Sequence, residues 1–278
     1  MIRNQQGNEF FLFTQDDHAA VSGELARHFG NSRFAAPQPL KAVIDAVAMH
    51  DCGWPLHDRE PTLDVAGMPL HVFDTPIPLA VRVWAESTRL AREADPYTGL
   101  LVSLHVFALS ALAYQHYADP AQRAHSAKEL FELNKFQQLQ IEVQEQIRGE
   151  SGLRTDVALQ LGLAPRRSDA REDLLRFHYQ ILRTMDQLSL ALLLGGRPFS
   201  TIDDLSPRPA ADPVDFRVGY PAKWRITLNP WPFDAEKIDA EIPFRRVPAR
   251  VYASVEAFRE IYKSAPREMQ MLRVARSG

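Results

Sequence analysis

The chain has 278 residues, 45% of them hydrophobic and 24% charged, with a net charge of -3. These values fit one large globular domain or a domain with an appendage, and the balance of charge gives neither a nucleic-acid polymer nor an anionic membrane a reason to bind. The single cysteine, Cys52, excludes an internal disulfide and fits a reducing compartment. The opening "MIRNQQGNEFFLF" lacks the basic flank, long apolar run and cleavage site of a secretory signal. Together with apolar segments shorter than the ~20 residues of a spanning helix, this leads to the expectation of a cytoplasmic protein.

Residues 2–13 hold two short runs around "NQQGNE", whose Gly and Asn predict a hairpin. "TQDDHAAVSGELARHFG" follows, with Thr14 as a cap, acids in the first turn and Gly30 as a stop, and predicts a helix. "PLKAVIDAVAMHD" has apolar residues at helical spacing. Residues 52–76 read as a long ordered loop. Helices are expected near 78–94, 97–117, 121–148 and 169–195, the third of them polar with a thin apolar stripe. After Gly196 the texture changes. "GGRPFSTIDDLSPRPAADPVDF" reads as loop, "KWRITLNPWPF" and "EIPFRRVPARVY" alternate like strands, "VEAFREIYKSA" is a short helix, and "MQMLRVAR" can form a last strand. The expected fold is mostly α: a helical domain over 1–198, with its hairpin at 2–13, and a smaller C-terminal α+β portion over 199–278. The hairpin is free to pair with the C-terminal strands, because isolated short strands are marginal.

Several titratable residues interrupt apolar surroundings. His18 precedes "AAV" in the first helix. His50 and Asp51 sit together where "AVIDAVAM" ends. His105 lies inside "LLVSLHVFALSALAY", and Asp186 stands just before "LSLALLLG", one residue away. A buried carboxylate needs a partner, and for Asp186 that partner is either Arg183, one turn back, or a metal. Adjacent helical residues point ~100° apart, so His50 and Asp51 converge on one point only if the helix ends there. Cys52-Gly53 supplies that ending. Two imidazoles and two carboxylates suit a divalent ion such as Mn, Fe, Zn, Co or Ni. Trp54 is expected as a pocket wall, with His57 and Asp58 within reach of the cleft. His105 is read as a satisfied core histidine, a ligand or a substrate contact. No GxxxxGK[ST], strand-linked GxGxxG, GxSxG, HExxH or CxxC occurs.

The order His18, His50-Asp51, Asp186 resembles that of the HD-domain superfamily, helical metalloproteins of which most are phosphohydrolases. Through "TQDDHAAVSGELA", "AVAMHDCGW", "DPYTGLLVSLH" and "NPWPF" the chain more closely resembles an uncharacterised bacterial family with a domain-of-unknown-function label. The superfamily resemblance implies an HD-like helical bundle with His18, His50, Asp51 and Asp186 on the ion. The implied activity is hydrolysis of a small phosphorylated molecule or nucleotide, with His105 and Arg183 in catalytic roles. It also implies His71 and His105 as extra ligands if the centre is that of a dinuclear iron oxygenase. The reading of the residues alone keeps a non-catalytic ligand- or partner-binding module open.

Overall fold

The computed structural model describes residues 1–118, 126–151, 170–194 and 199–277. Strands β1 (Ile2–Gln6) and β2 (Glu9–Phe13) form the predicted hairpin. They lead straight into α1 (Gln15–Arg27), and α2 (Leu40–Met49) follows. The 52–76 stretch contains a one-turn helix α3 (Pro55–Asp58) and a 3-10 turn at Val72–Asp74. Four long helices come next: α4 (Ile77–Ala94), α5 (Pro96–Ala118), α6 (Ser126–Ser151) and α7 (Ala170–Leu194). The predicted start of α6 at 121–125 lies outside the described residues, as do His125 and Arg197. The chain then returns to strand with β3 (Thr201–Leu205), β4 (Val214–Ala222), β5 (Arg225–Asn229) and β6 (Lys237–Pro248). Helix α8 (Val255–Ser264) and strand β7 (Arg267–Arg276) complete it.

All seven strands join one sheet in the order β1-β2-β6-β7-β5-β4-β3, antiparallel except for the β5–β7 pair. This corrects the expected fold class. The protein is α/β with a large mixed sheet, not a mostly α, HD-like bundle with a minor C-terminal portion. Two features account for the difference. The hairpin pairs with β6, Phe10 opposite Val247 and Phe11 opposite Arg246, so the first strands of the chain extend the last ones. β3 and the first three residues of β4 lie in the segment read as loop, where prolines punctuate the pattern but leave Thr201–Leu205 and residues 214–216 free to pair.

Strand β2 shows how period-two alternation builds two cores. Phe13, with the half-buried Phe11 against it, faces the main core shared with the helices. Phe10 and Leu12 face the opposite side, where they pack with Met1, Val247, Tyr252, Phe258 and Tyr262 beneath α8. The main core fills the space between the sheet and the helices. α5 has the length and apolarity to cross a membrane, but most of it is buried inside the protein. α6 lays its stripe of Leu133, Phe136, Gln140, Gln144 and Ile147 inward. The polar members of that stripe are satisfied there: Gln140 accepts from Thr88 and Ser103, and Gln144 donates to Ser103.

Candidate metal centre

The sheet places the first candidate ligand. β2 ends at Phe13, and Thr14 caps α1 by accepting from the Asp17 N–H at 3.1 Å. A cap of this kind fixes the first turn, and that turn carries Gln15 and His18 inward; both are buried. α2 ends at Met49, so His50 and Asp51 occupy the turn that follows, as predicted from Gly53. That turn packs against α4 so closely that a Cβ on Gly53 would overlap the Val83 carbonyl oxygen and the Ser87 nitrogen. α7 supplies Asp186 and α5 supplies His105, both buried.

The four residues read as ligands converge, and His105 joins them. His18 Nε2 lies 2.9 Å from Asp186 Oδ1. His50 Nε2 lies 3.5 Å from Asp186 Oδ1 and 3.6 Å from Asp51 Oδ2. His105 Nε2 lies 3.7 Å from Asp186 Oδ2. The His50 ring stands edge-on to both His18 and His105. Two ligand atoms each ~2.1 Å from one ion are about 3 Å apart at right angles and ~3.4 Å apart at the tetrahedral angle. His18 to Asp186 meets the lower end of that range and the other spacings exceed it by a few tenths of an ångström. The triads His18–His50–Asp51 and His50–His105–Asp186 could each hold a metal ion.

A second layer orients the rings. The His50 Nδ1–H donates to the Val47 carbonyl at 2.7 Å, since a carbonyl can only accept. In the neutral ring Nε2 is therefore a lone pair, and it is buried with no hydrogen-bond partner. A proton on Nε2 would have its nearest carboxylate oxygen at 3.5 Å, beyond the 2.7–3.2 Å of a good N–H···O bond. A cation among these atoms fits where a hydrogen bond does not. His18 Nδ1 is held by the Ser189 hydroxyl at 2.7 Å, which in turn donates to the Asp186 carbonyl at 2.9 Å. Asp51 accepts from Trp54 Nε1 at 3.0 Å and from Gln15 Nε2 at 2.9 Å. Such outer partners fix the tautomer and aim of metal ligands.

The electrostatics follow from burial against neighbours. Burial opposes a charge on His50, yet the Asp51 and Asp186 carboxylates outweigh it and raise the imidazole to about 9. Burial pushes Asp51 up, only partly offset by His50 and His18. At Asp186 burial also pushes upward, but the hydrogen bond to His18 and the nearby His50 imidazole hold the carboxyl well below the usual range. His105 is pushed down to about 3 by burial, despite the nearby Asp186 carboxylate, and stays neutral.

Four sequence-read residues lie elsewhere. Arg183 is not the partner of Asp186: its guanidinium donates to the Asp203 carbonyl at 2.8 Å and pairs with Asp204 at 3.3 Å. His71 caps the 3-10 turn, its Nδ1 accepting from the Phe73 N–H at 3.2 Å. Burial, with the Met1 ammonium and Arg3 nearby, takes it down to about 4. His57 and Asp58 turn away from the cleft on α3. His57 bonds Asp58 and Thr62, while Asp58 accepts from the Met1 ammonium and the Gln15 N–H. The His57 ring stands edge-on to the Trp54 indole, but its nitrogens are taken by Asp58 and Thr62 rather than by the cluster. Cys52 packs its thiol on the Ser87 carbonyl, and burial pushes it up to about 12.

Asp51, His105 and Asp186 open onto a cavity of about 550 Å³ that Trp54 also lines, in its expected place. His116 lines it too. The signal was present: His105, Leu109, Ala113 and His116 fall on one face of α5 at helical spacing. Gln15 and Ser189 were missed, and nothing local marks them.

No curated protein matches this chain, and no solved structure does. A family model described as "Protein of unknown function (DUF3891)" matches residues 1–249. The chain belongs to that family.

Proposed function

We propose that the protein is a metal-dependent hydrolase acting on a small phosphorylated molecule. The observation that carries this reading is the buried, unpartnered Nε2 of His50, aimed at two carboxylates and flanked by His18 and His105. His18, His50, Asp51 and Asp186 hold the ion, in the order that resembles the HD-domain set. The two possible ligand groups share His50. A single inward nitrogen serves one ion, and His71 stands apart, so the arrangement favours a mononuclear centre over a dinuclear oxygenase. Histidine and carboxylate donors suit Mn, Fe, Zn, Co or Ni.

A divalent ion bound there would make a water more acidic and neutralise charge at a phosphoryl oxygen. The chain's own groups do the rest. Ser189 and the Val47 carbonyl lock the two histidines in their ligand tautomers. Trp54 and Gln15 hold Asp51. His105, neutral and lining the cavity, could accept a hydrogen bond from a water beside the ion and so would orient it. Arg183 is committed to Asp203 and Asp204, and among the described residues no arginine lines the cavity to steady the developing charge.

Metal titration followed by thermal unfolding tests the reading. An ion at 100 times its Kd adds ~2.7 kcal/mol to stability, a rise in Tm of several degrees. At least one of the five ions is expected to give it. No rise with any of them, in protein stripped by chelator, would sink the metal reading.

A further inference from the structure

We infer that the substrate carries a single phosphoryl group on an aromatic or branched aliphatic body, and that nucleoside di- and triphosphates are excluded. The inference rests on the hydrolase reading and deepens it.

The cavity above the His–Asp cluster is asymmetric. Its floor holds Asp51, Asp186 and His105. Its walls are apolar and aromatic, built from residues such as Trp54, Trp84, Leu109, Tyr117 and Leu190. Phe73 stands at the rim with 63% of its surface exposed, an aromatic left open where a ligand body would leave the cavity. A site with largely apolar walls and a few convergent polar groups is built for a ligand of that same division. Its volume of about 550 Å³ accommodates a bicyclic aromatic body.

The charges point the same way. Among the described residues, no lysine or arginine lines this cavity, and Asp74 sits at its upper edge. One phosphoryl group can be neutralised at the cluster. A second or third phosphate would lie among carboxylates and apolar walls, where an unpaired charge is costly. Gln15 adds a polar preference. Its Nε2 is spent on Asp51, while its Oε1 is buried without a partner at the cavity floor. That oxygen asks for a hydrogen-bond donor on the ligand, such as a protonated phosphoryl oxygen.

Calorimetric titration of the Mn-loaded protein with three non-hydrolysable probes tests this. The probes are 1-naphthylmethylphosphonate, methylphosphonate and the imido analogue of ATP. The naphthyl probe is expected to bind more tightly than either of the others by ~30-fold or more, from ring burial at ordinary transfer energies. Phe73→Ser, at an exposed position, should weaken the naphthyl probe severalfold and leave methylphosphonate unchanged. Equal or tighter binding of the ATP analogue overturns the inference, as does failure of the naphthyl probe to outbind methylphosphonate or to bind at all. If the naphthyl probe binds as expected while 1-naphthyl phosphate is not hydrolysed, the hydrolase reading fails and the recognition inference stands.

Discussion

Asp186→Asn is expected to abolish metal uptake and turnover while the protein still folds. Asp186 is the hub of the cluster: Oδ1 meets His18 and His50, and Oδ2 meets His105. Asparagine keeps the shape and can donate an amide N–H to His18 Nε2, so the contact with His18 can persist and the buried helix face of α7 is not disturbed. It removes the negative charge that offsets a divalent ion. Loss of one such ligand costs far more affinity than the 10–100-fold typical of an outer-shell change. Metal content, the metal-induced rise in Tm and hydrolysis should therefore disappear together, with the circular dichroism of the metal-free protein unchanged. The alternative that Asp186 is a structural partner of Arg183 has no support in the geometry, because Arg183 is engaged with Asp203 and Asp204. If the asparagine variant keeps full metal content, Asp186 is not a ligand.

Asp58→Ala is expected to give the largest loss of stability. Asp58 is buried and joins three parts of the chain. Its Oδ1 faces the Met1 ammonium and His57 Nδ1, each at 3.2 Å, and its Oδ2 accepts from the Gln15 N–H at 2.8 Å. It therefore ties the hairpin and the start of α1 to the turn that follows the His50-Asp51 pair. Removing one member of a buried pair strands the other charge, at a cost of ~3–5 kcal/mol. Urea unfolding near neutral pH should show the midpoint shifted down with the slope retained.

The pH dependence of that loss is fixed by sign. Burial raises the Asp58 carboxyl, but the Met1 ammonium, His57 and the Gln15 N–H outweigh it, and the folded-state pKa is lowered. A carboxylate depressed on folding contributes stability that is fully present above its unfolded pKa, about 3.9. The contribution is lost as pH falls through the folded value. The gap between wild type and Asp58→Ala should be constant above roughly pH 4 and narrow below it. A gap that widens on acidification would contradict the assignment.

The candidate site was more legible than the fold around it. A polar residue inside an aliphatic run must be paired, which drew attention to His18, His105 and Asp186. A helix that stops at Cys52-Gly53 can turn two adjacent side chains to one point, which explained His50-Asp51. Those are local signals. The outer layer is not local: Ser189 reaches His18 across 171 positions and Gln15 reaches Asp51 across 36. Only the three-dimensional path brings them together. The helices were written in periodic apolar stripes, and the pairing of the hairpin with a C-terminal strand, more than two hundred residues away, was open to the sequence. The rest of the sheet was hidden because β3 and the start of β4 sit among prolines. His57 and Asp58 misled because they lie so near the metal pair in sequence, whereas α3 turns them towards Thr62 and Met1.

Elemental analysis of protein purified without chelators tests the central claim most directly, read beside an anomalous-scattering map of its crystals. The account predicts about one divalent transition ion per chain, its anomalous peak between His18, His50, Asp51 and Asp186 at roughly 2.0–2.3 Å from the ligand atoms. A protein that holds no such ion and takes up none when offered Mn, Fe, Zn, Co or Ni would contradict it.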